Sequence, residues 1–485
     1  MNHIKKYISF LSLVLVGWSS GQYSPSTHYA SMYENQVSVG AISNTKETLS
    51  NASPKEVFDY SLSQLMSDPV LRNASWGFVL YDPKTNKVLS SYNEATPLIP
   101  ASTTKLLTTD TALSLLGSKF RWVTQLEYSG SIDAEGTLNG NLYIVGSGDP
   151  SLGTNKAGAS TYGAIASDFL YAIKEKGIKK ITGDIILQTA VFKENKLPTL
   201  PANIVWLEHQ NYFLPVGSTQ DIDPRKEKSV VAKKDPFSNK KQYFYISPYT
   251  HKLVYADEFE GAWTSTQIAP TPQYLANLLK ANLAKSGIIA GKVTEKLVDR
   301  DPESRTKITA YHSPMLKDIV YDINQRSDNA LSEALLKTVG FQRDGDQTIN
   351  RGRSVVVEHL RDKNFDTSDL VYMDGSGLSR SHRVTPISQV KFLSAQMKES
   401  YYKDFFDSLP IAGQTGTLKK RFFGEAYGQV FAKTGTLNKV KTLAGYVKTR
   451  SGKTLAFSFL VNNYAGSVDQ VNKKMEYLLD QAINL

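Results

Sequence analysis

Three short polar strings, which occur in a fixed order, constrain the fold of this chain more than any other sequence feature. They are Ser102-Thr103-Thr104-Lys105, Ser327-Asp328-Asn329 and Lys433-Thr434-Gly435-Thr436. The first string is weak evidence by itself, because the pattern Ser-x-x-Lys occurs six times, starting at Ser43, Ser102, Ser238, Ser304, Ser388 and Ser400. The order of the three strings and the elements that carry them therefore distinguish Ser102 from the other copies.

The first string opens a predicted helix. Pro100-Ala101-Ser102 is followed by apolar residues at spacings of three and four, and Gly117 closes the run; this pattern is typical of an amphipathic helix. Ser102 then lies at the amino end of the helix, and Lys105, three residues later, lies on the same face. The sequence thus predicts a nucleophile and a candidate base that are held close together.

The second string falls between two predicted helices. Ser313-Pro314 is typical of a helix cap followed by proline in the first turn, and an apolar stripe continues through Met315, Ile319, Val320 and Ile323. A further helix is expected from about Asp328 to Gly340. Ser327-Asp328-Asn329 therefore belongs to the connection between the two helices.

The third string belongs to a predicted sheet. Residues 428–435, 441–449 and 454–463 have the composition of three strands with short connections, and 450–452 predicts a hairpin turn. Lys433-Thr434-Gly435 lies at the end of the first strand. The closing segment predicts a core helix packed on the sheet, with one face formed by Val468, Val471, Met475, Leu478, Leu479 and Ile483.

The remaining segments indicate how the chain is organised. Residues 75–81 and 87–92 are rich in β-forming residues and flank a turn sequence at 82–86, which predicts a hairpin. From about Phe120 to Ile308 the sequence favours short strands and turns, with a helix-like segment near Tyr274 to Ala284. We interpret this stretch as an inserted module, and its weak apolar periodicity leaves open whether it is one domain or two.

The amino terminus predicts export. Residues 1–20 combine a basic start, an apolar run and a small-residue exit, as in a cleaved signal peptide. A membrane anchor is the alternative, but about ten apolar residues are too few to span a bilayer. Residues 21–55 predict a tether. The chain contains 0 cysteines, which excludes disulfides, a thiol nucleophile and a lipid on cysteine. We expect a soluble, not membrane-spanning, protein of the periplasm or cell exterior.

The charge of the chain favours acidic partners. The net charge is +10 and the pI is about 9.2, so an anionic cell-wall polymer or a nucleic acid would be attracted at long range. Much of the excess lies in the lysine-rich stretch 225–241, which lacks aromatic interleaving and favours a solvated loop. Because export argues against nucleic acid, we expect no nucleic-acid partner.

The three strings supply the groups that acyl transfer needs. Ser102 can act as nucleophile and Lys105 as base, provided that burial or a nearby cation such as Lys433 depresses the lysine pKa. Ser327 can relay a proton to the leaving group, and Asn329 can bond a peptide backbone. Substrate can pair with the strand through Thr434, Gly435 and Thr436, and the backbone N–H groups of Ser102 and Thr436 can bind an oxyanion.

Competing chemistries have little support. Gly17-Trp18-Ser19-Ser20-Gly21 fits the G-x-S-x-G elbow, but it lies in the predicted signal peptide. None of the seven histidines has a recognisable triad context. Ser91-Tyr92-Asn93 is a second Ser-x-Asn string, but it precedes Ser102. No ligand spacing predicts a metal, and no motif predicts a cofactor.

The chain resembles the D-alanyl-D-alanine carboxypeptidase/endopeptidase family of class C low-molecular-mass penicillin-binding proteins, from about Val57 to the carboxyl end. Beyond the three strings, the resemblance rests on 140–143 with 148–150, 312–314, 374–379, 408–410 with 412–413, and 443–447. The long interval between Ser102 and Ser327 (327 − 102 = 225 residues) matches the inserted domains of that family.

The resemblance implies an α+β fold of the serine β-lactamase/penicillin-binding type, in which helices flank an antiparallel sheet. The catalytic domain would be discontinuous, 56–119 and 309–485, and 120–308 would be a large β-rich insertion. Gln414-Thr415-Gly416-Thr417 departs from the family's Asp-Gly-Thr, and 206–263 follows the family pattern poorly.

The resemblance also implies a serine DD-peptidase that cleaves the D-Ala-D-Ala termini or cross-links of peptidoglycan stem peptides through an acyl-enzyme on Ser102. β-Lactam antibiotics would acylate the same serine. A β-lactamase and a catalytically silent wall-binding protein are the alternatives. The sequence leaves open the preference between carboxypeptidase and endopeptidase activity, and also the oligomeric state.

Overall fold

The computed structural model describes residues 52–188, 272–296, 304–346, 348–363 and 365–485, and it gives the backbone of six short strands between 204 and 255. The predicted signal peptide and nearly all of the predicted tether lie outside the described residues. Pro54–Leu485 form one compact unit. The predicted domain boundaries at 119/120 and 308/309 stay predictions.

A five-stranded antiparallel sheet combines strands from the two ends of this unit. Its strand order is β17-β18-β19-β1-β2, and its strands are β1 (Ser75–Asp82), β2 (Lys87–Tyr92), β17 (Val430–Leu437), β18 (Val440–Lys448) and β19 (Thr454–Asn462). The central pairing sets Phe78 opposite Phe459. The predicted hairpin and the three predicted carboxyl-terminal strands are therefore confirmed. The third polar string lies within β17 rather than at its end, because pairing with β18 continues to Leu437.

Helices cover both faces of this sheet, which confirms the predicted α+β class. One face packs on α1 (Pro54–Ser67) and on the last helix, α10 (Val468–Ala482). The opposite face packs on a larger group: α2 (Lys105–Leu116), α5 (Leu316–Arg326), α6 (Asn329–Asp344), α7 (Ile349–Asp362), α8 (Pro386–Gln396) and α9 (Tyr402–Asp407). The predicted closing helix is confirmed, although Val468, its first residue, is 37% exposed.

The helix α2 is more deeply buried than its sequence predicts. Every residue from Lys105 to Leu113 is buried, because α5, α6 and α7 all pack against α2 and a 3-10 turn joins it to β17 and β18. The prediction of an amphipathic helix was therefore wrong about its polar face. Its predicted end at Gly117, which has φ 81°, is confirmed.

The two helices around the second string differ in detail from the prediction. The helix α5 begins after Met315 rather than after Ser313, because the Ser313 hydroxyl accepts the backbone N–H of Trp122 at 3.0 Å instead of capping a helix. The helix α6 passes through Gly340 and ends at Gly345. Gly340 is needed there for packing, since a Cβ at this position would lie 3.0 Å from the backbone nitrogen of Gly352.

The region between the two parts of the main sheet forms a second sheet with its own core. Its order is β15-β8-β6-β3-β16, with a three-stranded sheet β4-β5-β7 beside it. Its elements, in chain order, are β3 (Val123–Ser129), β4 (Ser131–Ile132), β5 (Thr137–Asn139), β6 (Leu142–Val145), α3 (Tyr162–Glu175), β7 (Lys180–Ile181), β8 (Ile185–Gln188), α4 (Pro272–Lys285), β15 (Val293–Lys296) and β16 (Arg305–His312).

The sequence predicted the strand-rich character of this region and the helix α4, but it did not predict α3. The strand β16 also continues to His312, beyond the predicted end of the insertion at 308. Six further short strands, described by their backbone, are β9 (Ile204–Leu207), β10 (Tyr212–Pro215), β11 (Lys233–Lys234), β12 (Lys241–Gln242), β13 (Phe244–Ile246) and β14 (Leu253–Tyr255). None of the described helices has the length and apolar character that a membrane span requires.

Candidate active site

The start of α2 brings the predicted nucleophile and base together. Ala101–Thr104 forms a 3-10 turn, and Lys105 is the first residue of α2. Ala101 has φ 47°, a left-handed backbone that is strained for a residue with a side chain. The Lys105 Nζ atom donates to the Ser102 Oγ atom at 2.9 Å. This contact is the geometry expected of a nucleophile beside its base.

Lys105 is fixed by two further hydrogen bonds. Its Nζ atom donates to Asn329 Oδ1 at 2.7 Å and to the backbone oxygen of Ser376 at 2.6 Å. The side chain is fully buried. Burial lowers the pKa of Lys105 to about 8, while the carboxylates of Glu333, Asp374 and Asp328 oppose this by favouring the charged form. Burial, rather than the charge of Lys433, is thus the cause of the lowered pKa.

The second string lies in the tight connection between α5 and α6. Ser327 has φ 58° and ends α5, and Asp328 caps the start of α6 by accepting the backbone N–H of Leu331 at 2.9 Å. This turn points the Ser327 hydroxyl at the third string, where the Lys433 Nζ atom donates to it at 2.8 Å. The prediction that the second string lies between two helices is confirmed.

Lys433 is the second buried lysine of the site. Its Nζ atom donates to Ser327 Oγ and, at 2.8 Å, to the backbone oxygen of Thr434. Burial lowers its pKa well below the usual value, and repulsion from Lys105 and Lys441 lowers it further. The two lysines therefore hold their protons weakly, and a bound anion would strengthen the hold of Lys433 on its proton.

Gly435 allows β17 to lie against the turn that carries Ser102. A Cβ at this position would lie 2.9 Å from the backbone nitrogen of Ser102 and 2.1 Å from Thr442 Oγ1. Thr442 also anchors the turn, since its hydroxyl donates to the backbone oxygen of Pro100 at 2.7 Å. The backbone of the third string thus reaches the nucleophile with no side chain between them.

Among the strands that the structure describes, β17 is an edge strand, since it pairs with β18 and with no other strand of the sheet. Within the part of the chain that the structure describes, a single bridge between Ile411 and Phe431 covers its other side near its start. Such an edge can bind an extended peptide by strand addition. The Thr434 hydroxyl contacts the Thr417 hydroxyl at 2.8 Å, and the exposed Thr436 accepts a hydrogen bond from Lys441 at 2.7 Å.

The structure adds an acidic support that the sequence reasoning missed. Glu333 accepts the backbone N–H groups of Gly375 at 3.0 Å and Ser376 at 2.9 Å, and Asp374 accepts those of Leu378 at 3.1 Å and Ser379 at 2.8 Å. Together they shape the loop that offers the Ser376 carbonyl to Lys105. Glu333 follows Asn329 by four residues on one helix, a spacing that could have indicated it.

A loop of the region between the two parts of the main sheet also reaches the site. The Lys156 ammonium pairs with Asp328 at 2.5 Å, and the backbone N–H of Ala157 donates to Asp322 at 3.1 Å. Lys156 had no motif that could have identified it. Among the described residues, no group of three or more His, Cys, Asp or Glu side chains is placed to hold a metal ion.

Comparisons with known proteins agree with this architecture. The chain is 27% identical over 441 residues to D-alanyl-D-alanine carboxypeptidase DacB of Haemophilus influenzae, covering 82% of this chain and 88% of that protein. It is 26% identical over 445 residues to a D-alanyl-D-alanine carboxypeptidase of an Actinomadura species, covering 84% and 81%.

Solved structures show the same fold. The crystal structure of penicillin binding protein 4 from Haemophilus influenzae matches with a TM-score of 0.62 at 24% identity, over 87% of this chain and 97% of that one. A peptidoglycan endopeptidase from Bdellovibrio bacteriovorus matches with a TM-score of 0.51 at 19% identity, over 85% and 93%. The family model described as D-Ala-D-Ala carboxypeptidase 3 (S13) matches residues 59–220 and 255–482, so the predicted family is confirmed and the chain belongs to that peptidase family.

Proposed function

We propose that this protein is a serine DD-peptidase that cleaves peptidoglycan stem peptides at D-Ala-D-Ala termini and cross-links through an acyl-enzyme on Ser102. The observation that carries the proposal is the buried Lys105 ammonium nitrogen 2.9 Å from Ser102 Oγ. The relatives named as D-alanyl-D-alanine carboxypeptidases support the carboxypeptidase activity. The structural neighbour named as a peptidoglycan endopeptidase has the same fold and prompts the endopeptidase part.

Acylation begins with a proton transfer from Ser102 to Lys105. Neutral Lys105 accepts the hydroxyl proton while Ser102 Oγ attacks the carbonyl carbon of the penultimate D-alanine. The backbone N–H groups of Ser102 and Thr436 stabilise the oxyanion. Because the pKa of Lys105 is lowered to about 8, the neutral fraction and the acylation rate rise as the pH rises through about 8.

The proton must then reach the leaving amine. Ser327 donates its hydroxyl proton to the amine of the departing D-alanine as the C–N bond breaks, and it recovers a proton from Lys433 or Lys105. Lys433 is within 2.8 Å of the Ser327 hydroxyl. Asn329 holds Lys105 in place and can also bond the substrate backbone. Water then attacks the ester bond of the acyl-enzyme. In this step Ser327 accepts a proton from the water, and Lys105 returns a proton to Ser102 Oγ as the acid product leaves.

Lys433 also gives the site an affinity for anions. A substrate carboxylate near Lys433 would raise the lowered pKa of that lysine and restore its charge. The restored charge on Lys433 would in turn lower the pKa of Lys105 and so favour the neutral form that acts as the base. Substrate binding and base activation are thereby linked.

The expected partners and compartment follow from this reaction. The substrates are peptidoglycan stem peptides outside the cytoplasm, which accords with the predicted signal peptide. β-Lactam antibiotics are expected to acylate Ser102. In support, a crystal structure of the Haemophilus influenzae protein contains a β-lactam. The same three strings occur in β-lactamases, so the rate of deacylation distinguishes a DD-peptidase from a β-lactamase.

The test is to label the purified protein with a fluorescent penicillin and then chase with unlabelled drug. We expect a long-lived adduct that is absent in Ser102→Ala. The matched control is Ser400→Ala, which removes the exposed serine of another Ser-x-x-Lys copy and should label normally. Rapid turnover of the adduct would identify a β-lactamase, and absence of labelling in the wild type would refute both enzymes.

A second measurement assigns the bond that is cleaved. Wild-type protein is incubated with purified cross-linked and uncross-linked muropeptides, and the products are analysed by mass. Loss of a terminal D-alanine demonstrates carboxypeptidase activity, and conversion of dimers to monomers demonstrates endopeptidase activity. If neither product forms with protein that labels with penicillin, the proposed substrates are wrong.

A further inference from the structure

Lys441 is a buried cation directly behind the third string. It lies on β18 opposite Thr436 in the strand register, and only 6% of its surface is exposed. Its Nζ atom donates to the Thr436 hydroxyl at 2.7 Å. None of the three predicted polar strings includes it.

The charge of Lys441 has no direct acidic partner among the described residues. Across the residues that the structure describes, no carboxylate forms an ion pair with Lys441; the nearby Glu476 pairs instead with Arg421, at 2.8 Å. Burial, together with repulsion from Arg421, lowers the pKa of Lys441 to about 7, while Glu476 opposes the shift. A buried ammonium without a carboxylate is costly, and a bound anion relieves that cost.

The hydrogen bond to Thr436 shows where this anion would lie. When the Thr436 oxygen accepts a hydrogen bond from Lys441, its own O–H remains free to donate. Thr436 is exposed on the edge strand beside Ser102. Because the Thr436 oxygen accepts from a cation, its O–H is polarised and is available to donate to a ligand that pairs with β17.

We propose that Lys441 is a positioning residue that acts through the Thr436 hydroxyl to bind the terminal carboxylate of the peptide substrate. This inference rests on the proposed DD-peptidase function. It assigns carboxylate recognition to two buried lysines in adjoining strands. Lys433 on β17 contacts Ser327, and Lys441 on β18 contacts Thr436. Lys441 does not touch the reacting atoms and does not take part in proton transfer.

The experiment compares two substrates that differ at one group. A peptide that ends in D-Ala-D-Ala and the same peptide that ends in D-alaninamide are cleaved by wild type and by Lys441→Met. We expect Lys441→Met to lose about 10- to 100-fold in kcat/KM on the acid, mainly through KM, and less than about 3-fold on the amide. Lys441→Arg, which keeps the charge, should recover part of the loss on the acid.

The matched control is Lys439→Met on the same hairpin. Lys439 is exposed, and its Nζ atom donates to the backbone oxygen of Gly466 at 3.2 Å. Its removal changes the net charge by the same amount without touching Thr436. Equal losses on acid and amide in Lys441→Met, or losses in Lys439→Met as large as those in Lys441→Met, would overturn the proposal.

A double-mutant cycle with Thr436→Val tests the route of the effect and needs only the acid substrate. If Lys441 acts through Thr436, Lys441→Met should cost less than about 3-fold in the Thr436→Val background. Full additivity of the two losses would contradict the proposal. Failure of the parent function is distinguishable, because a wild type that neither cleaves the acid nor labels with penicillin is not a DD-peptidase.

Discussion

The two walls of the active site surround their buried lysines with charges of opposite sign. The helical wall comprises Ser102, Lys105, Ser327, Asn329 and the support from Glu333 and Asp374; the strand wall comprises β17 with Lys433 and the neighbouring Lys441. On the helical wall, Lys105 is buried near three carboxylates that raise its pKa. On the strand wall, the pKa of Lys433 is lowered by two other lysines as well as by burial.

This difference matches the proposed roles of the two walls, a general base on the helical wall and an anion site on the strand wall. A base must exchange its proton near the working pH, so carboxylates that offset burial keep the Lys105 pKa at about 8 rather than far lower. An anion site gains from excess positive charge, so the strand wall has lysines in place of carboxylates. Four variants test this division.

Lys105→Ala removes the proposed base from the helical wall and should have the largest effect. We expect penicillin acylation to slow by about 1,000-fold or more, because no other described group contacts Ser102 Oγ as a base does. Stopped-flow labelling or intact mass would measure the rate, and circular dichroism would check the fold. Lys391→Ala, at an exposed lysine of another Ser-x-x-Lys copy, is the control. Near-normal labelling of Lys105→Ala would show that Lys105 is not the base.

Gly435→Ala changes the strand wall without changing its charge. The added Cβ would lie 2.1 Å from Thr442 Oγ1 and 2.9 Å from the Ser102 backbone nitrogen, so β17 must move away from the oxyanion donor. We expect about a 100-fold loss of acylation rate, comparable to the loss of one oxyanion donor. In the control Gly163→Ala, the nearest atom to the new Cβ is 3.9 Å away. An unchanged rate in Gly435→Ala would mean that this close approach is unimportant for catalysis.

Much of the scaffold of both walls was predictable from the sequence. Hydrophobic periodicity placed Ser102 at a helix start, Ser327 between two helices and Lys433 in a strand, and the structure agrees with each placement. Each of these placements depends on one helix or strand and its ends, and hydrophobic periodicity identifies single helices and strands. The start of α5 was mispredicted because Ser313 bonds Trp122, a partner in a different segment.

The supports of the two walls were less predictable, because they depend on contacts between distant segments. The Ser376 backbone oxygen binds Lys105, and a carbonyl group has no signature in the sequence. Lys441 follows Thr436 by five residues, and only the register of the β17–β18 hairpin makes them neighbours. The burial of α2 on all sides similarly required knowledge of which helices surround it.

Glu333→Gln tests whether the carboxylates of the helical wall set the pKa of the base. The charge of Glu333 raises the pKa of Lys105, so its removal should lower that pKa and keep the base neutral at lower pH. We expect the rising limb of the acylation rate against pH to move down by about one pH unit. Glu358→Gln on α7, whose carboxylate pairs with Arg351, is the control. A limb that stays in place while the melting temperature falls would show that Glu333 acts only by shaping the 375–376 loop.

Lys156→Met should have the smallest effect, because Lys156 acts on Lys105 only through Asp328. Lys156 neutralises Asp328 at 2.5 Å, and Asp328 in turn raises the pKa of Lys105. Without Lys156 the charge of Asp328 is less compensated, so the Lys105 pKa should rise and the rising limb should move up by about 0.3 pH unit.

The direction in which Lys156→Met moves the rising limb distinguishes an electrostatic role of Lys156 from a purely structural one. If Lys156 only anchors the inserted region to the second string, its loss should lower the acylation rate at every pH and leave the limb in place. Lys174→Met removes an exposed lysine of the same region and should change neither quantity. Opposite shifts of the rising limb in Lys156→Met and Glu333→Gln would show that a balance of charges sets the pKa of Lys105. Lys156, from the region between the two parts of the main sheet, would supply one of these charges.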